Sequence, residues 1–141
     1  MSDATDEIDE LREKRRQELT DQLEGGSTAE TAGTPDEPVY VNGTAEFEDL
    51  LAEYDTVFVD FYADWCGPCK MLEPIVEDLA AETDAAVAKV DVDRNQQLAG
   101  RFGVQGIPTM IVFAGGEPAE RVVGVRDKSA LAALIEGAAA N

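Results

Sequence analysis

The chain has 141 residues, 44% of them hydrophobic, with 30 acidic and 11 basic side chains and a formal net charge of −19. The apolar share is enough for a packed core and too high for a wholly disordered chain, and the length suits one domain with an added tail. The charge argues against binding to nucleic acid or to anionic membrane surfaces, which need clustered Lys and Arg, and the absence of histidine removes every catalytic or zinc-binding arrangement built on imidazole.

Composition changes near residue 38. Residues 1–38 hold twelve acids, four bases and few large apolar side chains, which predicts an acidic extension ahead of a domain over residues 39–141. Within the extension, residues 6–23 have helical character. Acids at 6, 7, 9 and 10 suit the positive end of a helix dipole, Glu10 and Lys14 make a favourable i,i+4 pair, and Ile8, Leu11, Leu19 and Leu23 form a thin stripe interrupted by Arg15. Gly25 and Gly26 stop that helix, and residues 25–38 read as a flexible linker. Two readings stay open for this extension: a solvated, partly helical tail, or a helix that docks on a partner. The acidic N-terminus lacks a basic-then-apolar leader and no apolar run reaches the ~18–20 residues of a membrane span, so the expected location is the cytoplasm. Four lysines against seven arginines on so acidic a chain suit concentrated salt, where self-repulsion is screened.

From residue 39 strand and helix periods alternate. A short strand is predicted over 39–41, then a helix capped by Thr44 with Phe47, Leu50 and Leu51 on its apolar side. The nearly unbroken apolar run 57–62 marks a strand buried on both faces, and a helix follows over 67–82 with Met71, Leu72, Ile75, Val76 and Leu79. A strand over 87–92, a short helix over 96–102 and a strand over 109–113 come next. Gly115-Gly116 turns the chain into a strand over 119–123, and a last helix over 128–138 carries Leu131, Leu134 and Ile135. The strand–helix–strand portion requires a parallel pair and the Gly-Gly connection an antiparallel one, so the fold class is α/β with a mixed central sheet and helices on both faces.

The two cysteines, Cys66 and Cys69, enclose Gly67-Pro68 where a buried strand gives way to a helix. An i,i+3 pair in the first helical turn brings two sulfurs within reach of a reversible bond, and the unpaired N–H groups of that turn favour a thiolate. Pro68 fits there because its missing N–H has no helical partner to lose. Cys66, nearer the helix end, is expected to be the exposed nucleophile and Cys69 the resolving thiol. Zinc would need more ligands, covalent haem a histidine where Lys70 stands, and a structural disulfide closing so short a loop would add little stability.

Asp60 lies inside the most apolar strand, where burial is expected to raise its pKa and let it exchange a proton with Cys69. The alternative is a solvated carboxylate at the strand end. Lys89 reads either as its ionic partner or as a snorkelling edge residue. Pro108, after Gly106-Ile107, stands at a strand mouth, where a cis bond turning Ile107 toward Cys66 and a plain strand-entry proline are equally compatible with the spacing. Trp65 reads as core or, next to a nucleophile, as a flat contact surface on the rim.

These residues resemble the thioredoxin family over residues 39–141. Trp65-Cys66-Gly67-Pro68-Cys69-Lys70 is similar to its active-site motif and residues 59–63 to its strand with a buried Asp. Pro74 matches its helix proline, residues 88–93 its third strand with the Lys near the Asp, residues 106–109 its cis-proline loop and Val123-Gly124 its last rim glycine. The resemblance implies a thioredoxin fold and protein-disulfide reduction, with Cys66 attacking a target disulfide, Cys69 releasing the reduced target and Asp60 moving the proton. It implies a target groove lined by Trp65, Ile107, Pro108 and Gly124, beside the Gly67-Pro68 turn, and no bound cofactor, the cysteine pair being the redox centre. The implied partners are disulfide-containing proteins and, as electron donor, a flavin-containing thioredoxin reductase. Alternatives are a disulfide oxidase or isomerase on the same fold, and a non-catalytic binding module.

Overall fold

In the computed structural model, which describes residues 34–139, the most apolar run of the chain forms strand β2 (Thr56–Tyr62), with every residue but the last buried. The helix expected over 6–23 and the linker up to residue 33 lie outside the described residues. Strand β2 pairs with β3 (Ala86–Asp91) in parallel and with β4 (Thr109–Ala114) in antiparallel sense. Strand β1 (Val39–Tyr40) adds in parallel outside β3, and β5 (Glu117–Val123) closes the other edge antiparallel to β4, giving the order β1-β3-β2-β4-β5.

Among the described residues, four helices cover the two faces: α1 (Thr44–Glu53), α2 (Gly67–Glu82), α3 (Gln96–Arg101) and α4 (Lys128–Ala139). Because side chains alternate along a strand, Val57, Val59 and Phe61 face one way and pack with Phe47, Leu50 and Leu51 of α1 and Leu98 of α3. Phe58 faces the other way, with Leu72, Val76 and Leu79 of α2 and Leu131 and Ile135 of α4. Burying each of these large side chains contributes roughly 1.5–3 kcal/mol, so the sheet is clamped from both sides. No helix among the described residues is long and apolar enough to cross a membrane.

Several local expectations are corrected. Gly43, not Thr44, occupies the cap position of α1, and no side chain caps the helix in the usual way. Instead the Asn42 N–H donates to Glu46 Oε1 at 2.8 Å and the Gly43 N–H donates to Asn95 Oδ1 at 2.7 Å, a partner 52 residues away. Strand β3 runs Ala86–Asp91 rather than 87–92, because the Asp91 carbonyl turns out of the ladder to accept from the Arg94 and Asn95 N–H groups. Strand β5 starts at Glu117, two residues early, and the register skips Ala119 beside Pro118, a residue that cannot donate to a ladder. Gly115 and Gly116 both take positive φ, as a two-residue hairpin turn between β4 and β5 requires.

Candidate active site

The end of β2 and the start of α2 place the two cysteines. The Cys66 N–H donates to the Ala63 carbonyl at 3.2 Å, closing a turn that leaves Cys66 in extended backbone at the cap position of α2, with Pro68 in the first helical turn. Cys66 and Cys69 are joined as a disulfide, their Cα atoms 5.3 Å apart. Cys66 Sγ also accepts from the Cys69 N–H at 3.2 Å, so one of the unpaired donors of the helix terminus is aimed at that sulfur. Gly67 and Pro68, between the cysteines, are exposed.

Cys66 does not stand out as the exposed sulfur. It is 4% exposed against 3% for Cys69, because the bonded pair is packed with Ala63, Tyr62, Val92 and Ile107. The Ile107–Pro108 peptide bond is cis, which decides between the two readings of that loop, and the Ile107 carbonyl oxygen lies 3.9 Å from Cys66 Sγ. Pro108 is buried and its carbonyl accepts from the Gly124 N–H at 2.8 Å, tying the β5 end to this loop. Gly124 has φ +97, a conformation that side-chain-bearing residues rarely adopt. Trp65 is 69% exposed, and its indole N–H donates to Asp93 Oδ2 at 2.8 Å. It belongs to the rim, not the core.

Within β2, Asp60 is fully buried and neither carboxyl oxygen has a hydrogen-bond partner. Burial raises its pKa from the ordinary carboxylate range to about 7, with the Lys89 charge pulling down and the Glu73 charge pushing up. Lys89 is also buried, yet its ammonium lies 3.6 Å from Glu73 Oε2 on α2 and over the ring of Tyr62, 4.5 Å from its centroid. It is therefore neither bonded to Asp60 nor a snorkelling edge residue. Burial also pushes the Tyr62 hydroxyl up to about 12, with Asp91 adding to the rise, so that ring stays neutral.

Two participants escaped sequence reasoning. Asp93 fixes Trp65 from 28 residues away, with no local signal beyond its place after the third strand. Glu73 pairs with Lys89 from one helical turn beyond Cys69, where it reads as an ordinary solvated helix acid.

A family model described as Thioredoxin matches residues 38–137. A thioredoxin from Mycobacterium bovis is 51% identical over 85 residues, covering 59% of this chain and 73% of its own. A bifunctional thioredoxin reductase/thioredoxin from Mycobacterium leprae is 41% identical over 132 residues, 92% of this chain, which spans only 28% of that relative's length. Among solved structures, a mutant thioredoxin from Halobacterium salinarum NRC-1 superposes with a TM-score of 0.73 at 59% identity, covering 74% of this chain and 93% of that one.

Proposed function

Because the chain belongs to the thioredoxin family, we propose that it reduces protein disulfides by cycling Cys66 and Cys69 between dithiol and disulfide. The observation that carries the reading is the pair itself: two sulfurs bonded across the first turn of α2, with the helix-terminal N–H of Cys69 aimed at Cys66 Sγ. In the reduced protein that donor, at the positive end of the helix, favours a thiolate at Cys66.

The thiolate attacks one sulfur of a target disulfide, forming a Cys66–target bond and expelling the other target sulfur as a thiolate. Cys69 then gives its proton to Asp60 and attacks Cys66 Sγ, forming the internal disulfide and releasing the second target thiolate. Two electrons pass from the dithiol to the target, whose thiolates take up protons on release. Asp60 suits this step because a base with a pKa near the working pH accepts a proton readily and returns it readily. Lys89 is assigned the role of setting the charge beside that carboxyl. Ile107, Pro108 and Gly124 are assigned to the target groove, with Trp65 and the exposed Gly67-Pro68 turn at its rim. The Ile107 carbonyl beside Cys66 Sγ supports a backbone contact with an extended target segment.

Trapping tests the reading. Cys69→Ser, reduced and mixed with a disulfide-containing protein such as insulin, is expected to stop at a stable adduct through Cys66. Recovery of free target thiols with no adduct contradicts it.

The fusion of reductase and thioredoxin in the M. leprae relative supports a flavin-containing thioredoxin reductase as the electron donor for this chain. A cytoplasmic setting and adaptation to salt are part of the same reading. The charge of −19 and the likeness to a Halobacterium thioredoxin support the latter. The protein is expected to melt at higher temperature in molar KCl than in dilute buffer, and an equal or lower melting temperature in KCl contradicts salt adaptation.

A further inference from the structure

We propose that Glu73 is a positioning residue for proton exchange at the dithiol: by holding the Lys89 ammonium from the α2 side, it keeps that cation from pairing with Asp60 and leaves the carboxyl free to take a proton. The inference rests on the role given to Asp60 above and deepens it.

The strand registers set the stage. Tyr40 pairs with Lys89, Lys89 with Asp60, Asp60 with Met110 and Met110 with Val122, so one row crosses the whole sheet on the face that α2 covers. A lysine and an aspartate side by side in such a row, both buried, are placed to close into an ion pair. They do not. Both Asp60 oxygens lack a hydrogen-bond partner, while Lys89 Nζ lies 3.6 Å from Glu73 Oε2.

The surroundings give the reason. A cleft of about 350 Å³ opens beside the lysine, lined among others by Tyr40, Glu73, Glu77 and Lys89. Glu73 stands half exposed at this cleft, and the Lys89 ammonium rests over the rings of Tyr62 and Tyr40, 4.5 and 5.6 Å from their centroids. Pairing with Glu73 sets the buried cation against a half-exposed carboxylate at the cleft wall. Pairing with Asp60 would instead bury both charges together, a cost that an isolated buried pair repays poorly.

The groups facing Asp60 can be named from each packed element. The sheet contributes Lys89 and Tyr62, with Tyr40 beyond Lys89, and β4 contributes Met110. Helix α2 contributes Glu73, whereas α4 buries only Leu131, Ile135 and Ala138. Of these, Lys89 and Glu73 act on Asp60 through charge, and with opposite sign.

The test is a carbon-13 NMR titration of the Asp60 carboxyl in the reduced full-length chain. Glu73→Gln is expected to lower the Asp60 midpoint by roughly half a pH unit or more, since it removes a nearby negative charge and releases Lys89 toward the carboxylate. The pH profile for resolution of a mixed disulfide by Cys69 should move down with it. Glu77→Gln, also on α2 and on the same cleft, is expected to leave the midpoint in place. Glutamine keeps helix propensity at both exposed positions, so neither variant is expected to lose the fold. An unmoved midpoint in Glu73→Gln, or an equal shift in Glu77→Gln, overturns the inference and leaves the role of Asp60 standing. A midpoint in the ordinary carboxylate range in the unaltered chain overturns both.

Discussion

Replacing Cys66 with serine is expected to lower the rate of disulfide reduction by at least about a thousandfold while leaving the fold in place. A serine hydroxyl stays protonated at neutral pH even at a helix terminus, and its oxygen cannot form the sulfur–sulfur bond that carries the electrons. Cys69→Ser is expected to fail differently. Its Cys66 keeps the backbone N–H of residue 69 at the start of α2 and still attacks, but turnover halts after one event per chain because nothing expels the bound target. Single-turnover rates, measured by mixing each pre-reduced variant with insulin after the reductant has been removed, distinguish the two. Equal initial bursts from both variants would remove the asymmetry between the cysteines on which the mechanism depends.

The second large effect is on stability, at Asp60. Folding holds this carboxyl at about 7, against an ordinary value of about 3.9 in an unfolded chain. Between those two values the unfolded chain gives up the proton while the folded one keeps it, so stability falls as pH rises through the window and levels off above it. Asn matches the protonated acid in size and neutrality but does not ionise. Asp60→Asn is therefore expected to gain on the unaltered protein as pH rises, its advantage widening by about 2–3 kcal/mol between pH 5 and pH 8. Urea unfolding of the oxidised proteins at both pH values measures this, and parallel stability at the two contradicts a raised carboxyl. The same variant is expected to resolve mixed disulfides roughly tenfold more slowly or worse, because the base is gone. A gain in stability paired with a loss of rate marks a group kept for chemistry rather than for the fold.

The parts of this protein that pattern alone made legible are those where one physical demand dominates. The run 57–62 had to be a strand buried on both faces, and the structure extends it only to Thr56. Helix α2 begins and ends where its spacing and first-turn proline place it, at Gly67 and Glu82. The mixed sheet followed from connection lengths, a crossover helix for β2–β3 and a glycine pair for β4–β5. What stayed hidden depends on residues distant in sequence. The start of α1 is held by Asn95, 52 residues on, so a cap read from Thr44 alone went to the wrong residue. Trp65 is fixed by Asp93, and Lys89 by Glu73, each across a gap that no local pattern spans. At Ile107–Pro108 two backbone isomers suit the same spacing, and the surrounding fold selects the cis form. The burial of Cys66 was missed for a related reason: Tyr62, Val92 and Ile107 assemble around it from three parts of the chain.

The proposed chemistry begins with an ionised sulfur at Cys66, and the rate of its alkylation as a function of pH tests that most directly. Reduced protein treated with iodoacetamide and analysed by peptide mass is expected to label Cys66 first, with a midpoint well below the value of about 8.5 for a free cysteine, and Cys69 slowly throughout. Labelling of Cys66 at or above the free-cysteine midpoint, or labelling of the two sulfurs in step, would contradict the account.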